Sequence, residues 1–80
     1  MNIDKKVRDI IEQYITTDIG ISDVNVDTSF KNDLGIDSIS IIQILILLED
    51  IFSIVFEEEE INGLREYGKL IDCINEKLRS

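Results

Sequence analysis

Eighty residues make one domain, 1–80, with a small core, and an apolar content of 44% is enough for that core and too high for a disordered acidic tail. Seventeen acids against eight bases give a net charge of −9, which excludes the basic face that nucleic acid or an anionic lipid surface requires. The absence of His removes imidazole chemistry at a nucleophile, a metal or a general base, and a single Cys cannot close an internal disulfide, so a cytoplasmic location is the expectation.

In chain order, Met1 to Lys6 opens polar and no apolar signal core follows. Ile3, Val7, Ile10, Ile11, Tyr14 and Ile15 then recur at helical spacing, which predicts a first helix over 3–15 with Gly20 as its stop. Residues 18–37 are rich in Asp, Asn, Ser, Thr and Gly and read as a loop, long for a compact domain without a function. Val24, Val26, Phe30 and Leu34 punctuate it and are expected to pin it to the core.

Ser38 to about Phe52 is the second predicted helix. Ile41, Ile44, Leu45, Leu48 and Phe52 form its core stripe, and Ile39, Ile42 and Ile46 form a second stripe. The helix is apolar over more than half its circumference, and most of that is expected to be core, with the Ile39, Ile42 and Ile46 stripe as the part that need not be. Ile39 to Leu48 spans roughly 15 Å as a helix, half the hydrocarbon core of a bilayer, and Glu49 and Asp50 interrupt it, so it is not a membrane span. Glu57 to Glu60 can open a short third helix that Asn62-Gly63 ends. Tyr67, Leu70, Ile71, Ile74 and Leu78 give the face of a last helix, whose start is poorly marked because Gly68 lies inside the pattern and no good N-cap precedes it. Three long helices and one short one make an all-α four-helix bundle with a long loop between helices one and two. With 17 Ile and no Ala, these helices depend on packing more than on intrinsic propensity.

The charge is concentrated. Asp9 to Leu64 holds 13 acids and one base, Lys31, while both ends are weakly basic. Such a body keeps a protein soluble and also suits recognition by basic partners.

Asp23, Asn25 and Asp27 resemble the opening of a calcium loop, but Thr28 stands at the glycine position and Leu34 at the bidentate-Glu position, so no metal site is expected. Glu57 to Glu60 reads as a solvated acidic turn. Cys73, beside the last apolar stripe, reads as a semi-buried, inert thiol. Gly35-Ile36-Asp37-Ser38-Ile39 lacks the second Gly and the His of a nucleophile elbow. Read alone, Ser38 is a helix N-cap. It also stands where a long loop meets a hydrophobic helix, so a phosphate attached there would meet free N–H groups and a favourable dipole.

The run Asp27-Thr28-Ser29-Phe30-Lys31-Asn32-Asp33-Leu34-Gly35-Ile36-Asp37-Ser38-Ile39 resembles the loop and attachment site of the acyl carrier protein family, whose pattern is Ser-Phe, two variable residues, Asp-Leu-Gly-x-Asp-Ser, then Leu or Ile. The likeness continues through Leu48-Glu49-Asp50-Ile51-Phe52, the acidic run and Tyr67-Gly68, and so covers nearly the whole chain. It implies that a phosphopantetheinyl transferase moves 4'-phosphopantetheine from coenzyme A onto Ser38, that Asp37 helps that enzyme recognise the site, and that Ile39 lies at the base of the arm. It implies a carrier with no catalysis of its own, whose partners are acyl- or aminoacyl-loading and condensing enzymes. Ile42, Ile46, Glu49 and Asp50 match positions that meet partners in the family; an apolar centre with a polar rim is the usual anatomy of an interface, and extra core is the other reading of the two Ile. Ser40 and Gln43 are uncharged where fatty-acid carriers are typically acidic, which points to a dedicated polyketide, peptide or specialised lipid pathway. A peptidyl or aminoacyl carrier, or a helical interaction module without a prosthetic group, remain alternatives.

Overall fold

The computed structural model of the chain describes residues 2–79; Met1 and Ser80, the outermost residues of the expected 1–80 domain, lie outside the described residues. Four α-helices follow in order: α1 (Ile3–Ile11), α2 (Ser38–Phe52), α3 (Glu58–Gly63) and α4 (Tyr67–Arg79). Among the described residues the only β-type pairing is an isolated antiparallel bridge between Ser29 and Glu66.

α1 starts where the Asn2 side chain accepts the Lys5 N–H. It buries Val7, Ile10 and Ile11 and tightens into a 3-10 turn over Glu12–Tyr14. Gly20 is not its stop: the backbone is already extended at Ile15, and Gly20 instead precedes a second 3-10 turn, Ile21–Asp23. The predicted helix over 3–15 is therefore one α-helix with a 3-10 end.

The core gathers Val7 and Ile11 of α1, Ile44 and Leu48 of α2, and Leu70 and Ile74 of α4, all nearly inaccessible. Val24, Phe30 and Leu34 pin the long loop to it as expected. Val26 does not, being 65% exposed. Its contribution is its backbone, since its C=O accepts the Gly68 N–H at 3.0 Å, while Thr28 C=O accepts that of Tyr67 at 2.9 Å. These two loop carbonyls satisfy N–H groups of the first turn of α4, a task usually left to an N-cap side chain. That is why the start of α4 carries no cap residue, and why Gly68 is there: a Cβ at Gly68 would stand 2.9 Å from Val26 Cβ and from Val26 O.

Only part of the apolar circumference of α2 is core. Ile44, Leu45, Leu48 and Phe52 are buried and Ile41 is half-buried, but Ile39, Ile42, Ile46, Leu47 and Ile51 are exposed. The Ile39, Ile42 and Ile46 stripe is thus the part that stays outside the core, and Leu47 and Ile51 join it, because an 80-residue bundle offers α2 one packed side and leaves the other to solvent. Leu78, expected on the packed face of α4, is 44% exposed near the helix end. No helix among the described residues is long and apolar enough to cross a membrane.

Candidate functional site

The segment before α2 is held on both sides. The Ser29 N–H donates to Asp33 Oδ2 at 2.7 Å, and the Asp33 and Leu34 N–H groups return to Ser29 C=O at 3.1 and 3.2 Å. The Ile36 N–H reaches Phe30 C=O at 2.8 Å. From the segment that follows α1 and its 3-10 end, the Thr16 N–H donates to Leu34 C=O at 2.9 Å, the Thr16 hydroxyl to Gly35 C=O at 2.9 Å, and the Thr17 hydroxyl to Asp33 C=O at 2.7 Å. Leu34 and Ile36 point inward as anchors, at 0% and 1% exposure. Gly35 between them has φ +66°, and a Cβ there would fall 2.0 Å from Thr16 Oγ1. The Asp-Leu-Gly-x of the motif is thus a clamp that delivers the chain to α2 in one orientation.

Asp37 is the residue that caps α2. Its backbone is extended (φ −81°, ψ 176°), and its carboxylate accepts the Ser40 N–H at 2.8 Å. That backbone hydrogen bond, followed by one from the Ser40 hydroxyl, holds its pKa below the ordinary carboxylate value. The reading of Ser38 as the N-cap is thereby corrected. Ser38 is the first helical residue, exposed, at the positive end of the helix dipole. Ile39 follows, 70% exposed.

Beside Ser38 runs an open groove of about 580 Å³. Its floor comes from Ile41 and Ile42 of α2, Phe30 and Ile36 of the loop, and Ile61 of α3. No local pattern in the sequence marks this groove, because its walls come from segments up to three dozen positions apart. Lys31 and Arg65 line the groove as well, and the one sequence signal for them is that Lys31 is the single base between Asp9 and Leu64.

Ile42 and Ile46 are 49% and 57% exposed, and with Asp50 they follow one another at i, i+4, i+8 on the solvent side of α2. Extra core is therefore not their role. Glu49 is half-buried and its Oε2 accepts the Phe56 N–H at 2.9 Å, so its carboxylate also serves the turn after α2. Within the acidic run, Glu60 is drawn away from the others: its Oε1 accepts the Glu57 N–H at 2.7 Å and pairs with Lys77 Nζ at 2.7 Å. Among the described residues no three His, Cys, Asp or Glu side chains are gathered as metal ligands. The Cys73 thiol is half-buried, and burial first, then the Glu60 charge, push its pKa up, which disfavours the reactive thiolate.

Residues 5–74 match the family described as the phosphopantetheine attachment site. The chain belongs to that family of carrier domains. A solved structure of the acyl carrier protein from Enterococcus faecalis is similar in fold and sequence, with a TM-score of 0.80 and 30% identity over 92% of this chain and 91% of that one. The family carries 4'-phosphopantetheine, and its members are carriers without catalytic activity of their own. The all-α bundle of four helices is the fold of that neighbour. The residues here suit the group: an exposed hydroxyl stands at a helix N-terminus, the capping task is taken by its neighbour, and a groove opens alongside.

Proposed function

We propose that Ser38 is the attachment point of the arm in this carrier, and that the protein shuttles acyl groups between loading and condensing enzymes of a dedicated pathway in the cytoplasm. The observation that carries this reading is the position of Ser38, exposed on the first turn of α2 and released from capping by Asp37. The arm supplies a terminal thiol that holds the acyl group as a thioester. The chain itself fixes the base of that arm. The Gly35 clamp sets the direction in which α2 begins, the positive end of the helix dipole favours the phosphodiester, and Ile39 offers apolar surface at its foot.

Ile42 and Ile46 form the apolar centre of the docking surface for the transferase and the acyl- or aminoacyl-processing enzymes, with Asp50, and Glu49 in part, at its rim. The uncharged Ser40 and Gln43 favour partners other than those that read a strongly acidic second helix. The whole forms one carrier domain over 1–80.

The test is intact mass after incubation with a broad-specificity phosphopantetheinyl transferase and coenzyme A. Wild type should gain one phosphopantetheine and Ser38→Ala none. A wild type that stays at the apo mass, or a Ser38→Ala protein that still gains the group, overturns the assignment.

A further inference from the structure

The groove beside Ser38 differs in charge from the rest of the molecule. The chain has 17 acids and 8 bases, yet the groove lining contains Lys31 and Arg65 and not one carboxylate. Backbone pairing keeps the two bases together: the Phe30 N–H donates to Arg65 C=O at 3.1 Å, next to the Ser29–Glu66 bridge, so Lys31 and Arg65 extend from adjoining stretches of chain. The ion pairs of the described residues involve Lys5, Arg8 and Lys77, and neither groove base takes part in one. Both are exposed, and Asn32 and Asn62 add amide donors to the same lining. In a molecule with a twofold excess of acid, two unpaired cations beside an apolar floor form a place for negative charge.

We propose that this groove holds an anion of the loaded carrier between Lys31 and Arg65. The chemistry required is a singly charged oxyanion attached to a partly apolar chain. Two parts of the loaded protein have it: the phosphodiester of the arm, and a carboxylate on the cargo of an arm folded back over Ile41 and Ile42. The inference rests on Ser38 being the attachment point. Held in the groove, the arm lies along the protein, and salt competes with that state.

The experiment compares the apo protein with forms loaded by a transferase from coenzyme A, butyryl-coenzyme A and succinyl-coenzyme A, each confirmed by intact mass. Amide and guanidinium resonances of uniformly ¹⁵N-labelled protein are followed at low and high salt. Lys31 and Arg65 resonances should move on loading and return toward apo positions in high salt. In the variant K31Q/R65Q the perturbation at Asn32, Asn62 and Ile42 should be lost, while K6Q/K69Q, which removes the same charge at exposed positions outside the groove lining, should keep it. Movement already complete in the unacylated form assigns the phosphodiester; movement confined to the succinyl form assigns the cargo carboxylate. A loaded protein whose Lys31 and Arg65 resonances stay at their apo positions in every form overturns this proposal alone. A mass that stays at the apo value overturns the attachment assignment and this proposal with it.

Discussion

The hydroxyl of Tyr67 donates to the carboxylate of Asp4, joining the first residue of α4 to the first turn of α1 across 63 positions. Arg8 completes the knot: its Nε donates to both Asp4 oxygens at 2.9 and 3.0 Å, its Nη1 to Ile21 C=O at 2.8 Å, and its guanidinium lies 4.8 Å from the centre of the Tyr67 ring. The Tyr67 hydrogen bond is the largest influence lowering the Asp4 pKa. A carboxyl whose pKa is depressed on folding adds stability that is present above its unfolded value, near 4, and is lost as pH falls through the folded one. Tyr67→Phe should therefore cost about 1 kcal/mol at neutral pH, since Asp4 is open enough for water to replace the lost donor. The difference in melting temperature between wild type and Tyr67→Phe should narrow as pH is lowered below about 4. A gap that stays constant from pH 7 to 3 would show that the hydrogen bond to the ionised carboxylate is not its source.

Two glycines, Gly68 in α4 and Gly35 in the loop before α2, should resist replacement by alanine. Alanine in a helix normally gains about 1 kcal/mol over glycine. At Gly68, inside α4, the added Cβ would press on Val26 Cβ and on the Val26 carbonyl, so Gly68→Ala should destabilise by about 1–3 kcal/mol in chemical denaturation. Gly35→Ala should cost at least as much, because φ +66° and the Thr16 hydroxyl both oppose a side chain. Gly63, with no atom within 4 Å of such a Cβ, is the control that should be tolerated.

What the residue pattern conveys depends on how local the cause is. α2 is legible from Ser38 to Phe52 because its periodicity and its boundary residues lie within its own segment. The Glu57–Glu60 opening of α3 is local in the same way. The start of α4 is not: its first N–H groups are satisfied by Val26 and Thr28, so the signal sits some forty positions upstream as backbone carbonyls that any residue carries. Val26 misleads for the same reason, since an apolar residue in a loop suggests burial while its function is in its main chain. For the site, the motif identifies Asp37 and Ser38, but which of the two caps α2 is decided by backbone geometry, and the cationic groove arises only when the loop meets the end of α3.

Ser53 closes α2 in the left-handed conformation, with φ 55° and ψ 47°, and the Ile54 N–H turns back to Glu49 C=O at 3.2 Å. Glycine is the residue that adopts this conformation without a Cβ penalty. Ser53→Gly should raise stability by about 0.5–1 kcal/mol, the relief of left-handed strain less the entropy glycine loses on folding. Urea denaturation, with an unchanged slope and a higher midpoint, is the measure.

Ile42 and Ile46 should separate folding from function. Both are about half exposed, so Ile42→Ser and Ile46→Ser should change stability by less than about 0.5 kcal/mol. Ile44, two positions from each and 1% exposed, should cost about 2–4 kcal/mol as Ile44→Ala. If the two exposed residues form the docking centre, their variants should take up the arm, or pass acyl groups to partner enzymes, more slowly while melting like wild type. Unchanged rates in both would place the docking surface elsewhere.

Salt should stabilise the fold. The described ion pairs, Lys5–Asp9, Arg8–Asp4 and Glu60–Lys77, are weakened by added salt, which alone would lower the melting temperature. Opposing them is the self-repulsion of a segment from Asp9 to Leu64 with 13 acids and one base, including the exposed Glu57, Glu58 and Glu59 side by side. Lys5–Asp9 is exposed and contributes little, and the two part-buried pairs are local, whereas repulsion acts over the whole acidic body and is relieved on unfolding. The melting temperature at neutral pH should thus rise from low to high ionic strength, and rise further per unit of ionic strength with magnesium, which gathers at dense carboxylates. A melting temperature flat across that range would mean that the acids are spaced widely enough in the folded state for water alone to screen them.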